Sequence, residues 1–235
     1  MRTSNLLAVS VAVCALAACG GDLDPGAGSD PGTGSLTLFV EADIEASPII
    51  TNAGRSDGFQ TSFDVRIRKN DVAVTTGTVT VTSNGGAVAL VYDAGDDRWR
   101  GTQATYREVY ELSVSSGDDF IDGVRIDGPA LHRFTAPLAG AAVDALVPLV
   151  VSWERDEAAD VARFDTEEIN ELEIADTGTY TVPVGGLKSK PDETSQERVR
   201  LDRSARVVPA GAIAGSSARV EVRNEIELLV AATGL

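Results

Sequence analysis

The chain has 235 residues and a formal net charge of −16, from 36 acidic and 20 basic side chains. A surface with this charge repels phosphate backbones, so we expect no nucleic acid partner. The length allows one large or two small domains with a substantial core. With one histidine and two cysteines, the usual zinc and copper ligand sets cannot be assembled, and we expect no metal centre and no cofactor.

The N-terminus has the pattern of an export signal. Arg2 is followed by an apolar run over residues 6–18, which is too short to span a hydrocarbon core of roughly 30 Å. The run ends at residues 16–19, which read Leu-Ala-Ala-Cys and resemble the lipobox of bacterial lipoproteins. An ordinary secreted protein, whose signal happens to end near a cysteine, is the alternative.

The lipobox resemblance implies that residues 1–18 are a lipoprotein signal peptide and that Cys19 carries lipid through a thioether. Two or three acyl chains hold a protein stably on a bilayer, whereas one chain binds only marginally. Cys14 lacks the preceding leucine and would be removed with the signal peptide. In Gram-negative lipoproteins an aspartate after the lipidated cysteine often retains the protein at the inner membrane, and here that residue is Gly20. We therefore expect a cell-envelope protein anchored at the outer membrane, on a face that the sequence leaves open.

A linker is predicted directly after the cleavage point. Residues 20–34 are rich in glycine, aspartate and proline and show no apolar periodicity. Together with Cys19 they make up the predicted segment 19–34. A flexible chain of this length would hold the first folded domain roughly 20 Å from the bilayer.

From Ser35 onward, apolar and polar residues alternate with the period of a β-strand. The clearest strand contains Phe63, Val65 and Ile67, which alternate with acidic and basic residues. The sequence Asn-Gly-Gly at 84–86 predicts a hairpin turn. About eight short strands and no convincing amphipathic helix predict a first β-sandwich over residues 35–138.

A small apolar stretch that contains Pro137 indicates a domain boundary near residue 139. The sequence therefore predicts an all-β chain of two tandem β-sandwich (Ig-like) domains, the second over residues 139–235. The strands of the second domain are predicted mainly at 147–153, 161–166, 180–184, 198–208 and 218–230.

Both predicted domains resemble known sandwich modules. Residues 77–81 (GTVTV), 96–101 (DDRWRG) and 110–114 (YELSV) resemble transthyretin-like or Ig-like modules of bacterial surface proteins. That resemblance implies a packing or spacer module without catalytic residues. Residues 151–153 (VSW) and 176–180 (DTGTY) are similar to fibronectin type III or Ig-like sandwiches, although a valine stands where the second Ig cysteine would be.

The chemistry-bearing residues give no clear catalytic set. His132 has no G-x-S-x-G motif to accompany it, so we expect a structural position rather than a Ser-His-Asp triad. The Asp-rich turns at 93–97 and 118–127 could bind Ca²⁺, but neither follows the EF-hand spacing, and solvated turns are the simpler interpretation. The acidic groups at 156–160 and 167–173 leave a carboxylate-dependent hydrolase as a third alternative. We expect that the protein is not an enzyme.

The two tryptophans and the anchor complete the sequence-based expectation. Trp153 is expected in a core, whereas Trp99 fits either a core or a partner surface. We expect a lipid-anchored envelope protein with non-catalytic binding or structural β-sandwich modules, Cys19 as its lipidation site, and no catalytic or metal site. Besides the membrane, an envelope protein or a polysaccharide is the kind of partner expected. A Ca²⁺-assisted surface adhesion module is the alternative.

Overall fold

The computed structural model describes residues 23–233, so Cys19 and the predicted signal peptide lie outside the described residues. Within them the chain forms strands and one short 3₁₀ turn at Ser56–Gly58, which confirms the predicted all-β class. In residues 23–233, no helix has the length and apolar character needed to cross a bilayer. The strands in chain order are β1 (Thr33–Gly34), β2 (Phe39–Pro48), β3 (Phe59–Lys69), β4 (Val72–Ala73), β5 (Thr78–Ser83), β6 (Gly86–Ala89), β7 (Val91–Asp93), β8 (Arg98–Ala104), β9 (Val109–Ser116), β10 (Asp119–Asp127), β11 (Arg133–Ala136), β12 (Ala142–Val143), β13 (Leu149–Glu154), β14 (Val161–Asp165), β15 (Leu172–Ile174), β16 (Thr179–Val182), β17 (Ser195–Val207) and β18 (Ser217–Val230).

The strands form three sheets. A ten-stranded sheet has the order β15-β14-β17-β18-β2-β3-β8-β7, with β12 paired to β18 and β4 paired to β3. A five-stranded sheet has the order β1-β10-β9-β5-β6, and a three-stranded sheet has the order β11-β13-β16. All pairs are antiparallel except that β2 and β12 run parallel to β18. The other two sheets both pack against the ten-stranded sheet, which contributes side chains to both cores.

The first core lies between the ten-stranded and five-stranded sheets. On β3 the side chains of Phe63, Val65 and Ile67 point inward and are fully buried, as their alternation predicts. Tyr110 and Leu112 reach the same core from β9. Because apolar side chains on the inner faces of both sheets are removed from water together, this packing is that of a β-sandwich.

The second core lies under the three-stranded sheet. Val151 and Trp153 of β13 pack there with Phe164 of β14. Leu201 of β17 and Ile226 of β18 add the side chains of the ten-stranded sheet. Trp153 is buried, as expected for a core tryptophan.

The two longest strands contribute to both cores. On β18, Val220 and Val222 belong to the first core, whereas Ile226 and Leu228 belong to the second. Strand β17 pairs with β18 continuously over residues 195–207, so it crosses the same junction. The predicted division into domains 35–138 and 139–235 is not confirmed, because strands of the second segment complete the core of the first.

The described part of the predicted linker is packed against the five-stranded sheet. Asp30 and Arg125 form a β-bridge with two backbone hydrogen bonds of 2.9 Å, and β1 continues the pairing along β10. Arg125 also donates to the carbonyl oxygens of Gly28 and Asp24. Gly32 has φ +66°, and an added Cβ would lie 2.4 Å from the carbonyl oxygen of Asp122. Gly32 therefore permits close backbone contact with β10, and the described part of the segment is not a free tether.

Candidate functional site

His132 lies one residue before β11, is wholly buried, and its Nε2 is 3.1 Å from the carbonyl oxygen of Leu201. Burial, reinforced by the nearby charge of Arg203, lowers the pKa of His132 to about 3. The imidazole is therefore neutral near pH 7 and has no route to solvent from which it could act on a substrate.

His132 belongs to a polar seam between the two cores, which we define as His132, Asp176, Arg203 and Asn224. Asn224 lies on β18 between the two sets of core residues and donates to the carbonyl oxygens of His132 and Ala53. Arg203, also wholly buried, donates to Asp176 Oδ2 at 2.8 Å and to the carbonyl oxygen of Ala130 at 2.7 Å. Within residues 23–233 His132 Nδ1 has no hydrogen-bond partner, but the side-chain polar groups of Asp176, Arg203 and Asn224 are bonded. Buried polar groups are tolerated when they are bonded in this way, so the seam is structural.

Asp176, from the Ig-similar segment 176–180, is the acceptor at the centre of this seam. Its oxygens accept from Trp153 Nε1 at 3.0 Å, from the Ala159 N–H at 2.9 Å and from Arg203. Burial alone would raise the pKa of Asp176, but the Ala159 and Trp153 hydrogen bonds together with Arg203 outweigh it and lower that pKa. The carboxylate is held ionised and serves to fix surrounding segments.

The Asp-rich turn at 93–97 is engaged in local hydrogen bonds and ion pairs. Asp93 accepts the Gly95 N–H at 2.9 Å. Arg100 Nη1 lies 2.9 Å from Asp93 and 2.8 Å from Asp96, and Asp97 accepts the Tyr92 hydroxyl at 2.7 Å. This geometry is that of a hydrogen-bonded surface turn.

The second Asp-rich segment, 118–127, is not a turn, because Asp119–Asp127 form β10. On that strand Asp119 is paired with Lys69, and Asp122 accepts the Ser113 hydroxyl at 2.8 Å. Among residues 23–233 there is no group of three or more His, Cys, Asp or Glu side chains arranged to hold a metal ion.

The acidic groups that suggested a hydrolase lie along one edge of the ten-stranded sheet. Asp160 directly precedes β14, and Glu173 lies on the edge strand β15, opposite Arg163 of β14. Glu167 is paired with Lys188, and Asp160 accepts the Arg206 N–H at 3.2 Å. The groups therefore belong to neighbouring strands of one sheet and not to opposite walls of a cleft.

Trp99, the other open question, is a core residue. Only 6% of its surface is exposed, and its Nε1 donates to the carbonyl oxygen of Val74 at 2.9 Å. Its ring packs against Tyr92 with centroids 5.5 Å apart. Trp99 therefore offers no platform for a partner.

The outer face of the ten-stranded sheet carries charges of both signs that pair within and between strands. Arg223 lies 3.0 Å from Asp202 and 2.8 Å from Glu45, and Arg219 lies 2.8 Å from Glu221. Burial raises the pKa of Asp202 and of Glu221, while the neighbouring arginines act in the opposite direction. On this part of the face the charged groups are engaged with one another.

One end of this outer face forms a groove of about 720 Å³, which we call the Arg68 groove. Phe39 on β2 is directly opposite Arg68 on β3, so both side chains lie on the floor. The Ile213 N–H donates to the Leu38 carbonyl oxygen at 2.9 Å, which brings the β17–β18 loop alongside β2. Residues that line the groove include Leu36, Phe39, Arg66, Arg68, Lys69 and Ile213.

The three basic residues of the groove differ in their partners. Arg66 Nη1 is 2.9 Å from Glu41, and Lys69 Nζ is 2.5 Å from Asp119. Lys69 and Thr37 both bond the Asp119 carboxylate and lower its pKa. Arg68 has no ion-pair or hydrogen-bond partner within residues 23–233, and its Nε is buried. Arg68 is therefore the cation of this groove that is available to an external anion.

Apolar side chains stand beside that cation. Leu36 is 62% exposed and has φ +59°, a left-handed conformation that is costly for a bulky residue. Ile213 is 38% exposed on the other wall. Exposed apolar groups next to a half-buried aromatic ring and a guanidinium form a surface that can bind an organic anion.

Sequence reasoning did not identify this groove, because its residues come from three segments that are distant along the chain. Arg66 and Arg68 were recognised only as the polar side of a strand. One local signal was present: residues 66–69 read Arg-Ile-Arg-Lys, a basic run in a strongly acidic chain. No protein-family model matches the chain, and a search of curated proteins found no match.

Proposed function

We propose that this chain is a lipid-anchored protein of the cell envelope that binds its partner without turnover, through the Arg68 groove. The anchor is lipid on Cys19, and the proposed location is the outer membrane. An envelope component is the proposed class of partner. The groove lies on the broad outer face of the ten-stranded sheet, and this position supports a binding role.

The binding role rests on one observation, that the Arg68 side chain has no ion-pair or hydrogen-bond partner within residues 23–233. On the neighbouring parts of the same face, arginines are paired with carboxylates, as Arg223 is with Asp202 and Arg219 with Glu221. Arg68 has no such partner among the described residues and lies beside Phe39 at the floor of a groove. A guanidinium in this setting is suited to recognition of an anion.

The anchor is supported by the lipobox resemblance and by the placement of Leu23. Leu23 is partly exposed, and its N–H and carbonyl oxygen bond the side chain of Asn84 at 2.7 and 2.8 Å. Four peptide steps connect Leu23 to Cys19. This arrangement is compatible with a lipid outside the fold.

Mass spectrometry of the mature N-terminus and membrane fractionation test the anchor. We expect a chain that begins at Cys19 with a diacylglycerol thioether, and we expect Cys19→Ser to move the protein from the membrane to the soluble fraction. Cys14→Ser is the matched control, because it changes the other cysteine of the same segment and should leave attachment intact. Equal membrane attachment of Cys19→Ser and wild type would refute the proposal.

A further inference from the structure

We propose that the Arg68 groove recognises a small amphiphilic carboxylate, that is, one anionic group joined to an apolar or aromatic body. This inference rests on the binding role proposed above and gives it a ligand class. It follows from the charge available in the groove, from the side chains around it, and from the charge of the whole chain.

The groove offers one cation rather than a cluster. Arg66 and Lys69 already contact Glu41 and Asp119, so their charges are largely balanced by the protein. Arg68 remains without a described partner. A planar guanidinium matches the two oxygens of a carboxylate, which can accept parallel hydrogen bonds from it. The charge available therefore fits a monoanion.

The walls of the groove favour an apolar body on that anion. Phe39 lies opposite Arg68 across the β2–β3 pair, and Leu36 and Ile213 expose aliphatic carbon on the two sides. Burying these surfaces against a ring or an alkyl chain removes apolar area from water. An inorganic anion would leave them exposed.

The surrounding charge disfavours a polyanion. Asp71 lies on the rim of the groove, and the whole chain carries a formal charge of −16. A long acidic polymer would place further negative charges outside the groove, where the acidic surface repels them. A single carboxylate bound at Arg68 has no such further charges. The proposed occupant is therefore a small molecule with one carboxylate and not an acidic polysaccharide.

Titration calorimetry of the purified mature protein tests the ligand class, with N-acetyl-phenylalanine as the probe. Its neutral amide has the same apolar body without the charge, acetate has the charge without the body, and inorganic phosphate is a different anion. We expect the acid to bind about tenfold more tightly than the amide, the size of effect expected for a charge-assisted hydrogen bond. Acetate and phosphate should bind more weakly than the acid.

Variants locate the binding. Arg68→Gln should reduce the affinity for the acid to that of the amide, and Phe39→Leu should weaken both ligands. Arg198→Gln is the matched control, because Arg198 is a half-exposed arginine on β17, outside the groove, and should not change affinity. Circular dichroism and urea unfolding of each variant report whether it has folded.

Several outcomes would overturn the inference: no binding of the acid, equal binding of acid and amide, tighter binding of phosphate, or equal effects of Arg68→Gln and Arg198→Gln. These readouts do not depend on the anchor. A protein that is attached to membranes through Cys19 but binds no probe would contradict the ligand class and leave the anchoring proposal standing.

Discussion

Arg203 and Asp176 form a buried ion pair in which Arg203 Nε lies 2.8 Å from Asp176 Oδ2, and their side chains are 0% and 2% exposed. Arg203 also donates hydrogen bonds to the carbonyl oxygens of Ala130 and Glu157, and Asp176 accepts one from the indole N–H of Trp153. The pair thereby connects the chain entering the three-stranded sheet, the loop before β14 and the ten-stranded sheet. Its consequences for stability are testable.

Removal of one member of this pair should be strongly destabilising. We expect Arg203→Met to lower the free energy of unfolding by about 3–5 kcal/mol, because Asp176 would remain as a buried charge without its partner. Urea unfolding followed by circular dichroism measures the change. Arg55→Met, which removes an arginine from the exposed pair with Asp57, is the control and should have little effect. Similar effects of the two substitutions would contradict the structural role of the seam.

His132 should make the fold sensitive to acid. In the unfolded chain a histidine takes up its proton near pH 6.5, whereas burial lowers the pKa of folded His132 to about 3. Stability from this group is therefore complete above pH 6.5 and is lost as the pH falls towards 3, by about 2 kcal/mol between pH 6.5 and pH 5.

The comparison of wild type with His132→Gln isolates that contribution, because both proteins contain the same carboxylates. This matters since burial raises the pKa of Asp202 and Glu221, which favours the folded state as the pH falls and acts in the opposite direction. Urea unfolding at pH 7 and pH 5 gives the two differences. If both proteins show the same pH dependence, His132 is not a buried neutral group.

The two cores should unfold together. Strands β17 and β18 supply side chains to both, so loss of either core removes packing from the strands that the other requires. Trp99 reports on the first core and Trp153 on the second. Trp153 is the one tryptophan left in Trp99→Phe, and Trp99 is the one left in Trp153→Phe. In each variant we expect the urea transition measured by tryptophan fluorescence to coincide with the transition measured by circular dichroism. Two separate transitions within one variant would show that the cores are independent.

The packed segment before β2 should depend on Gly32. A methyl group there would meet the Asp122 carbonyl oxygen, so we expect Gly32→Ala to displace the segment and to expose the Arg125 amide, which donates to Asp30. Hydrogen exchange of the Arg125 amide measures this as faster exchange. Gly26→Ala is the control, since Gly26 also has a positive φ but no atom lies within 4 Å of an added Cβ. Unchanged protection in Gly32→Ala would contradict the packing described.

Local patterns predicted the strands well where one strand faces one core. The alternation at Phe63, Val65 and Ile67 identified β3, and the Asn-Gly-Gly sequence at 84–86 predicted the turn that pairs Ser83 with Gly86. The alternation of Val88, Leu90 and Tyr92 after that turn predicts one continuous strand. In the structure β6 and β7 belong to different sheets and Leu90 is buried between them, because a two-residue period does not reveal a change of sheet.

The larger organisation could not be obtained in this way. Strand β18 pairs in parallel with β2, as in Val220 beside Ile44, and no local pattern specifies a contact across so many residues. The groove could not be predicted for the same reason, because Phe39, Arg68 and Ile213 line it together but are far apart along the chain. The glycine-rich composition before β2 suits both a free linker and a segment in close contact with a sheet, so composition alone did not distinguish them.

The packing of residues 24–34 changes what an anchor at Cys19 would do to the molecule. With Leu23 fastened to Asn84, at most roughly 14 Å of extended chain connects the lipidated residue to the hairpin between β5 and β6. The folded part would then lie close to the lipid headgroups, because only a short segment separates it from the anchor. That hairpin belongs to the five-stranded sheet, which packs on the inner face of the ten-stranded sheet, so the outer face and its groove would lie on the side away from the anchor.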